Sequence, residues 1–235
     1  MILPYVIIIA MKDDPITPEA IDANIEAYIQ VITKEFKNGF DFIKKYPKTV
    51  SIFGSARLTP ASSHYGDAKR LASRIVKDLG YSIVTGGGPG IMEASNLGAK
   101  EAQGTSLGIE IELPHEQHTN EYVMDSAHFN YFFTRKTMLT FSAKAFVFFP
   151  GGFGTLDELF SILTLLQTGK IPSVPVVLFG KDFWKPLVDC METHLLKQHH
   201  AINEDDFKLF TVTDSVDTTL KIIREAPARE WWKSM

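Results

Sequence analysis

KAFVFFPGGFGTLDELF, residues 144–160, holds a strand, a turn and a helix in succession. Ala145 to Phe149 form an apolar, β-rich run of the kind found in strands buried on both faces. Pro150 ends the run, Gly151, Gly152 and Gly154 follow, and Thr155 opens a helical segment carrying Asp157 and Glu158. That order is the opening half of a βαβ unit.

The same alternation recurs on both sides. Strand-like runs stand at TVSIFG (49–54), YSIVTG (81–86), SLGIEIEL (106–113), KAFVFFP (144–150), VPVVLFG (174–180) and LFTVT (209–213). Helical stretches lie between them, near residues 64–79, 91–103, 132–142, 155–168, 183–197 and 215–225. Apolar strands alternating with helices predict an α/β fold: a doubly wound, mainly parallel, Rossmann-like sheet with helices on both faces. Upstream, Thr17, Pro18 and Glu19 read as an N-cap, a first-turn proline and a first-turn acid. Ile21, Ile25, Tyr28, Ile29, Ile32, Phe36, Phe40 and Ile43 then recur at helical spacing, which adds an N-terminal amphipathic helix. The expected division is an arm and helix over residues 1–45 and the Rossmann-like domain over 46–235.

The 235-residue chain carries a net charge of −4 and no Lys/Arg stripe, which argues against a nucleic-acid surface and for a small, local anion site. Its one cysteine, Cys190, cannot form an internal disulfide; it suits a reducing cytoplasm and reads more readily as a packed thiol than as a nucleophile. The opening MILPYVIIIA is shorter than the ~20 residues that span a bilayer and lacks the features of a secretory signal, so no membrane partner is expected. His115 and His118 lack the companions of a metal site, and Trp231-Trp232 reads as a docking pair.

Ligands of such sheets sit beyond the carboxyl ends of the strands, which directs attention to Gly54-Ser55, Gly86 to Gly90 and Pro150 to Thr155. TGGGPGIMEA, from Thr85, fails the dinucleotide fingerprint, because counting from Gly88 and Gly90 the third glycine position holds Glu93. PGGFGT lacks the lysine that a nucleoside triphosphate loop requires. Gly151, Gly152 and Gly154 would let backbone amides approach a monophosphate at the start of a helix. The alternative is a plain glycine turn, with Thr155 and Glu158 forming a capping box. Arg135 and Lys136 stand in an apolar, aromatic stretch, either as phosphate-holding cations or as a surface pair.

GGGPGIMEA, FFTRKTML and PGGFGTLDELF together resemble the LONELY GUY family of cytokinin riboside 5′-monophosphate phosphoribohydrolases, long mislabelled lysine decarboxylases. The resemblance covers roughly residues 45–225, and the long N-terminal helix and YFFTRK wording are similar to the longer branch of that family. It implies that Arg135 and Glu158 are the catalytic pair and that Gly151, Gly152, Gly154 and Thr155 hold the 5′-phosphate. Gly86, Gly87, Gly88 and Glu93 would lie near the nucleotide, while the strand-end rule adds Gly54 and Ser55, and the cation pair adds Lys136, to the expected substrate site. The implied reaction frees a base and ribose 5-phosphate from a cytokinin riboside monophosphate or an AMP-like substrate, without metal or cofactor. A homodimer or larger homo-oligomer is also implied, with the aromatic residues 131–133 supplying apolar area. A nucleotide-binding or sensor protein without turnover is the alternative, and a nicotinamide-dependent enzyme a weaker third.

Overall fold

The computed structural model describes residues 18–113 and 119–227. MILPYVIIIA, Thr17, His115, His118, Trp231 and Trp232 lie outside them. Helix α1, Pro18–Ile43, precedes strand β1, Thr49–Phe53. There follow α2 (Ser63–Leu79), β2 (Ser82–Thr85), α3 (Ile91–Glu101), β3 (Ser106–Ile111) and β4 (Asp125–Phe129). The second half runs α4 (Phe132–Phe141), β5 (Ala143–Phe148), α5 (Phe153–Gln167), β6 (Val176–Phe179), α6 (Lys181–Cys190), β7 (Thr211–Thr213) and α7 (Val216–Glu225).

The strands form one seven-stranded sheet in the order β4-β3-β2-β1-β5-β6-β7, parallel at every pairing. From β1 the chain builds outward to β4, then returns to pair β5 against the other side of β1. This reversal is the topological switch point of a doubly wound sheet. Alternate residues of β5 serve two cores. Phe146 and Phe148 pack with Ile109, Met138, Leu159 and Trp184 beneath α1, α4, α5 and α6. Ala145, Val147 and Phe149 pack with Leu71, Ile75 and Leu220 beneath α2, α3 and α7.

Six of the seven strands coincide with apolar runs in the sequence, and the seventh does not. In β4, only Phe129 is buried, while Asp125, Ser126 and Ala127 are part-exposed and His128 exposed. No apolar pattern marks it; pairing with β3, from Leu107 opposite Asp125 to Ile111 opposite Phe129, makes it a strand. The β3–β4 connection contains no helix among the described residues. At the far side, α6 continues as a π-helical segment, Met191–Gln198. Cys190 is exposed there, which corrects the expectation of a packed thiol: it lies on the solvent side of the helix.

Helix α1 docks through its C-terminal half. Phe42 and Ile43 join the first core, and Phe40 meets Phe141 of α4 edge-on at 4.9 Å. Its N-terminal half leaves Ile25, Tyr28 and Ile29 exposed.

Phe148 is fully buried and stacks on Phe53 with ring centroids 4.7 Å apart. Phe148→Ala is expected to cost about 3–5 kcal/mol, read as a lower urea midpoint at unchanged slope. Ile29→Ala, on the exposed face of α1, is expected to change stability by less than about 0.5 kcal/mol.

Candidate active site

The loops that follow β1 and β5 are tied at the switch point, where the Ser55 amide donates to Pro150 O at 2.9 Å. The Ile91 amide, at the start of α3, donates to Ser55 O at 3.1 Å. Beside this junction lies a cavity of about 690 Å³. Its polar wall holds Gly54, Ser55, Gly86, Arg135, Thr155 and Glu158, with Gly152 and Gly154 at the turn into α5. Met92, Ile111, Leu113, Phe132 and Phe153 supply an apolar wall.

Helix α5 begins at Phe153, two residues before Thr155, with Gly152 as its N-cap and no side-chain cap. The capping box read from Thr155 and Glu158 is therefore not formed. The first intrahelical bond runs from Leu156 N to Gly152 O, so the amides of Phe153, Gly154 and Thr155 have no carbonyl one turn back to bond. Gly152 and Gly154 are exposed, and nothing stands within 4 Å of where a Cβ would project from either. Open amides at the positive end of a helix, unobstructed by side chains, are suited to an anion.

Arg135 comes from the first turn of α4. Its Nε donates to Ile109 O at 2.8 Å, within β3. A Cβ on Gly86 would lie 2.4 Å from its Nη2, so glycine at the end of β2 makes room for the guanidinium. Burial lowers the Arg135 pKa from its ordinary value, against the opposing pull of Glu158 and Glu110. Glu158 lies one turn along α5 and is 5% exposed. Burial pushes its carboxyl up to about 7; Arg135 and Lys136 hold it down in part, and Asp157 adds to the rise. A carboxyl poised near neutrality beside a guanidinium is able to accept a proton at physiological pH.

Other residues singled out in the sequence lie outside the cavity lining. Lys136 turns away from Arg135 into a neighbouring groove of about 950 Å³ between α4 and α5. There its ammonium pairs with Asp157 at 2.7 Å and donates to Ser161 Oγ at 3.0 Å. Gly87 and Gly88 offer their carbonyls to the Asn120 side chain at 3.0 and 2.9 Å. Asn120 also donates to Asn96 Oδ1 at 3.0 Å, so these glycines belong to a buried amide network that shapes the loop. Glu93 accepts from the Tyr65 hydroxyl at 2.7 Å. Gly151 packs beneath the Thr155 hydroxyl. Among the described residues, no group of His, Cys, Asp and Glu side chains is arranged to hold a metal ion.

One cavity residue escaped the sequence reading although a signal for it existed. Arg57 stands three residues beyond Gly54 in the loop after β1, where the strand-end rule directs attention. Asn96 and Asn120 carry no such signal, since each is a lone amide in a polar stretch.

Comparison with known proteins identifies the chain's relatives. Residues 92–223 match the profile of the family described as possible lysine decarboxylase. The chain is 27% identical over 154 residues to a cytokinin riboside 5′-monophosphate phosphoribohydrolase of Rhodococcoides fascians, covering 62% of this chain and 75% of that protein. It is 31% identical over 143 residues to the cytokinin riboside 5′-monophosphate phosphoribohydrolase LOG of Oryza sativa subsp. japonica, covering 59% of this chain but only 57% of the rice protein. Among solved structures, the structural-genomics target TM1055 superposes with a TM-score of 0.56 at 25% identity, over 76% of this chain and 99% of that one. The family match spans more than half of the sequence, and the chain belongs to the possible lysine decarboxylase family, the group implied by its resemblance to the LONELY GUY enzymes.

Proposed function

We propose that this chain hydrolyses the N-glycosidic bond of a nucleoside 5′-monophosphate, a cytokinin riboside monophosphate or an AMP-like substrate, releasing free base and ribose 5-phosphate. The observation that carries the reading is the convergence of Glu158, Arg135 and the open start of α5 on one cavity. The activity named for both relatives supports it. The amides at Gly152, Gly154 and Thr155 hold the 5′-phosphate. Glu158, ionised, faces the anomeric carbon, where it offsets oxocarbenium charge and takes a proton from the attacking water. The water oxygen bonds to C1′ as the bond from C1′ to the base nitrogen breaks, and the proton taken by Glu158 passes through solvent to the departing base nitrogen, which restores the carboxylate. Arg135 fixes phosphate or ribose and offsets charge on the departing base. Lysine decarboxylation would need a lysine free to bind an aldehyde cofactor, and Lys136, the residue beside Arg135, is engaged by Asp157 and Ser161.

Two further elements belong to the reading. A second copy of the chain covers the groove between α4 and α5, whose rim carries Phe133 at 45%, Phe153 at 92% and Phe160 at 39% exposure. The reaction takes place in a reducing cytoplasm, consistent with the free Cys190 thiol. Among the described residues no helix is long and apolar enough to cross a membrane.

Incubation with AMP, cytokinin riboside monophosphates, IMP, GMP and pyrimidine monophosphates, followed by chromatography of free base, tests the activity. Saturable binding without release would overturn it in favour of a sensor. AMP should exceed adenosine in kcat/KM by at least about a hundredfold, since the nucleoside leaves the α5 amides without a partner and the sugar without an anchor. Equal cleavage of both would remove the phosphate cradle, and a preference for ATP would require a longer one.

Glu158→Gln should keep AMP binding and lose about 10²–10³-fold in kcat. For the unaltered protein, kcat/KM should rise with pH through about 7 as Glu158 ionises. The same burial has a stability consequence. The folded pKa of about 7 exceeds the ordinary 4.5, so the fold binds the proton more tightly than the unfolded chain does. That contribution is fully present below about pH 4.5 and is lost as pH rises to about 7. Glu158→Gln should accordingly raise the melting temperature at pH 8 and leave it nearly unchanged at pH 4.5.

Light scattering at micromolar concentration should give at least a dimer, and Phe160→Glu should shift it toward monomer. A monomeric parent protein would leave the groove between α4 and α5 uncovered and remove the second copy from the reading.

A further inference from the structure

Glu35 occupies a buried position on α1 that an apolar residue would be expected to fill. Ile32, Glu35, Gly39 and Phe42 follow one another at steps of three, four and three along the face that docks on the body, with the more exposed Tyr28 one turn before them. Glu35 is 7% exposed, although burying a carboxylate is costly without strong compensation. Its compensation is three hydrogen bonds from neutral donors, all in one short segment. Oε1 accepts from the Asn130 amide and from Asn130 Nδ2, each at 2.7 Å. Oε2 accepts from Thr134 Oγ1 at 2.5 Å.

That segment is the start of α4, which has Tyr131 as N-cap and no side-chain cap of its own. Glu35 ties down the residue before that N-cap and the Thr134 hydroxyl inside the first turn, and sets a negative charge near the positive end of α4. Two apolar contacts support the same junction. Tyr28 meets Tyr131 edge-on at 4.9 Å. A Cβ on Gly39 would lie 2.7 Å from Met138 Cγ, so glycine there allows α1 to approach α4 closely.

Thr134 is followed directly by Arg135, whose Nε reaches Ile109 O and whose guanidinium abuts Gly86. We infer that Glu35 is a positioning residue for Arg135: through Asn130 and Thr134 it fixes the start of α4, making the N-terminal helix part of the active-site framework. A slip of one residue in α4 would rotate Arg135 by about 100° about the helix axis and withdraw it from the cavity. Glutamine in place of Glu35 keeps the volume but loses the charge. Its amide nitrogen would face a donor that the carboxylate oxygen now satisfies.

The kinetic half of the test rests on the phosphoribohydrolase reading; the spectroscopic half does not. In full-length ¹⁵N-labelled protein, the Arg135 Nε–H resonance, identified by its loss in Arg135→Lys, should exchange slowly with solvent. In Glu35→Gln it should exchange at least about tenfold faster, with Thr134→Val moving it in the same direction by less. With AMP as substrate, Glu35→Gln should lose ten- to a hundredfold in kcat/KM. Among the charges that act on Glu158, Arg135 and Lys136 lower its pKa and Asp157 raises it. A displaced Arg135 should therefore move the limb of the kcat/KM profile near pH 7 upward. An unchanged Arg135 signal in both variants overturns the inference, and so does activity lost only in proportion to unfolded protein with the limb unmoved. If no monophosphate is cleaved by the parent protein but the Arg135 signal depends on Glu35, the proposed reaction falls and the positioning role stands.

Discussion

The pairing of β5 against β1 is the constraint on which the rest of the molecule depends. Strands β2, β3 and β4 were laid down on one side of β1, so β5 must take the other, and the connections leaving β1 and β5 diverge to opposite faces of the sheet. A cleft between diverging connections is a geometric result of that order. The bond from Ser55 N to Pro150 O holds its two lips together. Everything with chemical capacity is brought to this place from elsewhere: Arg135 from α4, Glu158 from α5, and Gly86 from the end of β2.

Within the cleft, burial and charge oppose each other. Glu158 is held where its ionised form is disfavoured, and Arg135 offsets only part of that penalty. The result is a carboxyl balanced near neutrality rather than a permanently charged ion pair. Lys136 shows how finely direction matters on a helix, since it follows Arg135 in sequence but faces a different groove and a different acid.

Much of the fold was legible in the sequence because strands buried on both faces are mainly apolar: β6 is VVLF throughout, and β1 and β3 keep their apolar runs around the buried polar residues Thr49, Ser51, Ser106 and Glu110. Strand β4 was not, because an edge strand with one neighbour can be polar, and its partner alone dictates its conformation. The helix after PGGFGT was legible in kind but starts two residues early, since Gly152 caps without a side chain. Gly54, Ser55, Gly86, Gly152, Gly154, Thr155, Arg135 and Glu158 line one cavity, and the strand ends and glycine motifs were enough to direct attention to that place. Gly87, Gly88 and Glu93 stand in the same motif but serve the Asn120 network and Tyr65, partners far along the chain that no local pattern announces. Glu35 eluded a reading that followed apolar spacing alone, although a charge on that stripe is itself a mark.

The two margins of the sheet are blunt in different ways. Strand β7 is only three residues long, and β4 presents polar, partly wetted residues, with Asp125 engaged by the Tyr46 hydroxyl at 2.7 Å. Neither margin offers the long, dry ladder of unpaired amides on which a strand from another molecule could settle. Copies of this chain are thereby steered away from joining their sheets end to end into open-ended ribbons. The second copy proposed above would sit on the helical flanks, where a self-complementary contact closes at a finite number of subunits.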